Sequence, residues 1–148
     1  MTTKNAIDIL TDLTTRQSEA AAKRMGEANQ QQDQAKQQLD LLVDYRKSYA
    51  DQLQTQMSQG LAVSGYCNFY QFLANLDKAV AQQNQAWQTS LQFVEKERLN
   101  WQLSERKRLS FNTLTQRAQN AMLREEIIRD QKQTDEHATR KYSVKVDV

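Results

Sequence analysis

Proline is absent from this chain, and that absence limits its folding more than anything present. None of the 148 residues is proline and only three are glycine, so there are few places where a helix is obliged to stop. Gly60 and Gly65 fall inside one short stretch, SQGLAVSGYCNF, running from Ser58 to Phe69. The third glycine, Gly26, costs an exposed helix only about 1 kcal/mol. From Asn68 to Thr139 there is neither glycine nor proline. The reading that follows is all-α: helix one over about 5–58, a tip loop over about 59–67, helix two over about 68–139, and a flexible tail over 140–148. Good helix formers (Gln, Ala, Leu, Lys, Arg, Glu) dominate, and 39% hydrophobic with 26% charged residues is too little apolar surface for a thick core. Such a composition reads as long helices or coiled coil within a single domain.

Both segments carry a heptad seam, in which apolar or small residues recur at alternating spacings of three and four. In the first it runs Met25, Ala28, Gln32, Ala35, Leu39, Leu42, Arg46, Tyr49, Leu53. Leu10 and Leu13 sit out of phase with it, which predicts a stutter near the N-terminus. In the second it runs without a break from Phe69 through Leu73, Leu76, Val80, Gln83, Trp87, Ser90, Val94, Glu97, Trp101, Ser104, Arg108, Phe111, Thr115 and Ala118 to Met122. Its middle alternates bulky residues (Val80, Trp87, Val94, Trp101) with polar ones (Gln83, Ser90, Glu97, Ser104).

The glycine-bearing stretch joins the two segments. Gly60 suits the left-handed position that ends a helix. Asn68 with Gln71 three residues on reads as a capping box, with Cys67 and Phe72 as its hydrophobic staple. A connection this short makes the helices antiparallel neighbours, an antiparallel coiled-coil hairpin in which partners have numbers summing to roughly 124. Trp101 then faces Ala20 to Met25, and Trp87 faces Ala35 to Leu39, large side chains against small ones. Helix two outruns helix one by ~15–20 residues. Met122, Leu123, Ile127 and Ile128 lie in that overhang.

Little here supports catalysis. One cysteine, one histidine, no glycine-rich phosphate loop and no metal-ligand spacing leave no motif for a nucleophile, a cofactor or a metal. His137 lies near the end of the second helix, far from Cys67, and a two-helix hairpin offers no cleft that excludes water. A lone cysteine forms no intrachain disulfide and fits a reducing compartment. The first residues, MTTKNAIDILTDLTTRQ, hold no apolar leader core, and no window approaches ~20 apolar residues. The expectation is a cytoplasmic protein without direct membrane insertion. Basic and acidic residues number 7 and 8 up to residue 60, and 13 and 10 beyond it, an imbalance too small to call for nucleic acid. The most basic stretch, KERLNWQLSERKRL (Lys96 to Leu109), is diluted by Glu97 and Glu105, as in a solvated helix face.

Beside the seam, near the tip, each helix carries a second stripe at spacings i, i+4, i+7 and i+11. Helix one contributes Gln38, Leu42, Tyr45 and Tyr49, and helix two contributes Phe72, Leu76, Ala79 and Gln83. Antiparallel pairing sets these stripes side by side as one apolar patch with aromatic anchors, the usual mark of a partner site. The alternative is a seam that is simply wide here, with tyrosine rings covering its edge.

These same segments resemble the FliJ family, small soluble components of the bacterial flagellar type III export apparatus. The likeness rests on LDLLVDYRKSY before the tip, MSQGLAVSGYCNFYQFL across it, YQFLANLDKAVAQQ after it, and RDQKQTDEHA near the end, and it runs from about Ala6 to Ala138. It implies an antiparallel coiled coil like the central stalk of rotary ATPases. It also implies a non-enzymatic role: binding the export ATPase ring and promoting its assembly, and linking that ring to the export gate membrane protein and to export chaperones. The setting would be the cytoplasm, peripheral to the export apparatus at the inner membrane. The family's interaction surface falls on Tyr45, Tyr49, Phe72, Leu76 and Ala79, and the Met122–Ile128 end would enter the ATPase ring. Two readings compete within the helical class: the equivalent stalk of a virulence secretion system, and a structural homo-oligomeric coiled coil. A nucleic-acid-binding helical protein is the remaining rival.

Overall fold

A computed structural model describes residues 2–146, with side chains from Ala6 onward. It contains two helices, α1 (Thr2–Ser58) and α2 (Val63–Val146), and no strand among the described residues. The helices pack against each other as an antiparallel hairpin. Two compact units divide it: one joins the residues up to Ser18 to those from Leu103 onward, and the other spans Glu19–Gln102.

The turn is tighter than the sequence pattern predicts. Gln59 donates to the carbonyls of Thr55 and Gln56, Gly60 donates to Met57 at 3.3 Å, and Ser58 Oγ donates to Thr55 O at 2.7 Å. These bonds satisfy the last carbonyls of α1. Gly60, at φ +90°, takes the left-handed position that closes the helix, as its residue type leads one to expect. α2 then starts at Val63, so Asn68 lies inside the helix and caps nothing. Cys67 is exposed and is not a staple residue. Leu61 fills that role. It precedes the first turn of α2 and lines one shallow depression with Met57, Val63 and Tyr66. A Cβ on Gly65 would approach Leu61 Cδ1 to 2.9 Å. The second glycine therefore makes room for the staple and does not break the helix. At the other end α2 continues through the residues expected to form a tail, as far as Val146. No residue there is a helix breaker, and Thr139 and Ser143 return their hydroxyls to the carbonyls of Asp135 and Arg140.

In the Glu19–Gln102 unit, cross-helix contacts fix the register. Gln83 Nε2 donates to Ala35 O at 3.1 Å and to Gln38 Oε1 at 3.2 Å. Lys36 Nζ stands 4.6 Å from the centre of the Trp87 ring, and Arg46 pairs with Asp77. At this register Trp101, Val94 and Trp87 lie opposite Ala21, Ala28 and Ala35. The smaller or polar positions of α2 (Ser90, Gln83) meet Gln32 and Leu39 in turn. Such alternation lets two helices approach closely while filling each layer. Ala21 and Ala28 are accordingly at most 1% exposed, and Leu39, Leu53 and Leu76 complete the apolar core.

The other unit is built differently. Its buried side chains include Thr14 and Ser18, Thr11 and Thr115 share a hydroxyl–hydroxyl hydrogen bond of 2.9 Å, and Glu105 pairs with Arg108. Covered positions on α1 run Ile7, Thr11, Thr14, Ser18 and on through Ala21 and Met25 at unbroken heptad spacing. The stutter expected from Leu10 and Leu13 is therefore absent. Both leucines point outward, and threonine and serine hold the seam in their place. From Gln119 to Val146 every residue is exposed, a longer uncovered stretch than the pairing rule predicts.

Candidate partner interface

Four aromatic side chains from both helices converge beside the turn. Tyr49 is the hub, with ring centres 4.5 Å from Phe72, 5.0 Å from Phe69 and 6.4 Å from Tyr45. Phe72 meets Tyr45 edge-on at 6.3 Å. Spacings and tilts of this kind suit the ring quadrupoles. The cluster exists because Tyr45 and Tyr49 are one helical turn apart on α1, Phe69 and Phe72 are three residues apart on α2, and the antiparallel register brings the two pairs level. Tyr49 and Phe69 fill the seam. Tyr45, 53% exposed, and Phe72, 37% exposed, are left at the surface although they carry large apolar faces.

The sequence-derived patch is thus brought together, though its members differ in what they can offer a partner. Leu76 is 7% exposed and forms the floor. Leu42, Ala79 and Gln83 are half-buried around it. Gln38 is exposed, and its side-chain oxygen accepts from Gln83, so these two amides close one edge of the patch. Arg46 and Asp77 close the opposite flank with a cross-helix ion pair; the Asp77 carboxylate holds the Arg46 guanidinium above its usual pKa by hydrogen bonding and charge. Surface reachable by another molecule therefore centres on Tyr45 and Phe72.

Sequence reasoning assigned Phe69 to the seam alone, whereas it also packs on Tyr49 and buttresses the cluster. It also passed over two features near the turn. Tyr66 and Tyr70 stack with ring centres 6.1 Å apart, both exposed, a pair legible from the i, i+4 spacing once the helix is known to start at Val63. No charged residue occurs between Asp51 and Asp77, in a chain one quarter charged. Met122, Leu123, Ile127 and Ile128, in the other unit, are between 45% and 64% exposed.

Among the described residues no cluster of His, Cys, Asp or Glu could hold a metal ion. No helix of the described residues is long and apolar enough to cross a membrane. What the arrangement can do chemically is present an aromatic face, flanked by the Arg46–Asp77 ion pair, for packing.

Comparison with known proteins matches this helical pattern to one family. The family model described as "Flagellar FliJ protein" covers residues 3–146. The flagellar FliJ protein of Escherichia coli (strain K12) is 33% identical over 140 residues, 95% of each chain. That of Salmonella typhi is 32% identical over 140 residues, again 95% of each. With the family model spanning nearly every residue and two relatives aligned almost end to end, the chain belongs to the flagellar FliJ family.

Proposed function

We propose that this chain is a non-enzymatic stalk or adaptor of the flagellar type III protein export apparatus. In this reading it binds the export ATPase ring and promotes its assembly, and it links that ring to the export gate membrane protein and to export chaperones. It works from the cytoplasm, peripherally at the inner membrane. Family membership supports the setting. One observation carries the mode of action: Tyr45 and Phe72 stand half-exposed on a cluster that both helices build. A seam needs no such surplus, because Tyr49, Phe69 and Leu76 already close it. An exposed aromatic pair set on a buried floor has the form of an interaction hot spot. The gate component is assigned to this patch, and the ATPase ring to the exposed stretch holding Met122, Leu123, Ile127 and Ile128.

Co-purification from flagellated source cells tests the assignment. Wild type should recover the export ATPase and the gate protein. Tyr45→Ala/Phe72→Ala should keep the ATPase, lose the gate protein and fail to restore swimming to a deletion strain. Recovery of further copies of the chain alone would favour a structural homo-oligomer and overturn the reading.

A further inference from the structure

Among the described residues Glu97 is the one buried charged side chain, 6% exposed, at a seam position between Val94 and Trp101. Its Oε2 accepts no hydrogen bond among the described residues, and its ionic partner is Arg24, whose Nε lies 3.6 Å away. Arg24 stands beside the seam and reaches in from a half-exposed position. A carboxylate in this place contributes little net stability, because its desolvation offsets the attraction of its partner. What it can supply is discrimination between alignments.

The alanine layers of the seam discriminate poorly. Alanine recurs every seventh residue at Ala21, Ala28 and Ala35. A slip of one heptad toward the N-terminus of α1 still sets Trp87 and Val94 against alanine and Trp101 against Thr14. A slip the other way keeps Trp101 and Val94 against alanine and moves the bend toward Gly65, a second residue able to turn. Polar partners, in contrast, are lost in both directions. Glu97 would face Gln17 or Gln31, and Arg24 would face Ser90 or Ser104 in turn. The Trp87 indole, whose Nε1 lies 3.0 Å from the Gln32 side-chain amide and donates to its oxygen once that amide is turned over, would face Met25 or Leu39.

We propose that the Arg24–Glu97 pair is the register lock of the hairpin: a positioning pair that makes one of several sterically acceptable alignments the occupied one. It thereby sets which residues of α1 and α2 are level near the turn, so that Tyr45 and Tyr49 meet Phe69 and Phe72. The lock concerns alignment and holds whichever partner the aromatic cluster receives.

Paired spin labels on the full-length chain test it. Gln30→Cys and Gln82→Cys, both exposed, are labelled in a Cys67→Ser background. Their axial offset changes by about 10 Å when the helices slip by one heptad. The parent should give one distance. Glu97→Leu should unfold at a higher denaturant concentration yet give two distances. Arg24→Gln/Gln31→Arg, which changes only exposed positions and moves the cation by one heptad, should shift the main distance to that of the slipped alignment. A single parental distance in both variants would overturn the proposal. So would two distances in the parent, since no lock would then be acting.

Discussion

Gly60 and Gly65 belong to the same turn, yet alanine should affect them differently. At Gly60 the backbone is left-handed, so Gly60→Ala should cost about 1–2 kcal/mol even though a Cβ would meet open space. At Gly65 the backbone is helical and the obstacle is the mobile end of Leu61. Alanine's better helix propensity, worth about 1 kcal/mol, offsets a small shift of that leucine, and Gly65→Ala should be close to neutral. Urea midpoints of the two variants check the contrast. Glu105 offers a test by pH. The Arg108 guanidinium donates to its carboxylate at 2.6 Å and holds it below its ordinary value of 4.5. A carboxyl depressed in the fold adds stability above its unfolded pKa and loses it as pH falls through the folded value. Arg108→Gln should move the NMR titration midpoint of Glu105 upward, and an unchanged midpoint would show that the pair does not persist in solution.

At the level of the helices, burial follows the heptad frame, so substitutions should too. Leu76→Ala, at a core position, should cost about 2–3 kcal/mol, and Leu41→Ala, 69% exposed, within about 0.5 kcal/mol. Thr11 and Thr115 behave as a pair. Each hydroxyl also donates to a carbonyl of its own helix, Ile7 O for Thr11 and Phe111 O for Thr115. Valine at either alone therefore removes only the cross-helix bond and should cost about 0.5–1 kcal/mol, while valine at both should come back near parental stability; a double-mutant cycle measures this. Those threonines also mark where the sequence was legible and where it was not. The seam from Met25 to Leu53 and from Phe69 to Ala118 could be read from spacing because apolar residues dominate it, and the antiparallel pairing followed from matching tryptophans to alanines. Near the N-terminus the rule failed: leucines advertise the wrong phase, Thr11 and Thr14 are small enough to be covered because their hydroxyls donate to carbonyls of their own helix, and Ser18 hydrogen-bonds Glu105. The start of α2 was missed for a related reason. Asn68 has the chemistry of a cap, but the position of a cap depends on the Leu61–Gly65 contact, which no propensity encodes. The aromatic patch was legible because its members lie at fixed helical offsets. Their unequal exposure was not, since it depends on which ring reaches the seam first.

For the molecule as a whole, stability and length are separable. Every residue from Gln119 to Val146 is exposed, so these turns gain nothing from a covering surface, and a helix of that kind is only marginally stable in water. Removing residues 123–148 should lower the helical circular dichroism signal while leaving the cooperative unfolding midpoint of the remainder within a few degrees. A marked drop would mean that the removed residues support the hairpin. The uncharged run between Asp51 and Asp77 has a different consequence. Whatever docks within this segment meets no charge belonging to it, so any long-range steering there comes only from the charged residues that flank the run, Asp51 and Asp77 first among them. Recognition there depends on fit after collision, and discrimination between partners resides in how fast they leave.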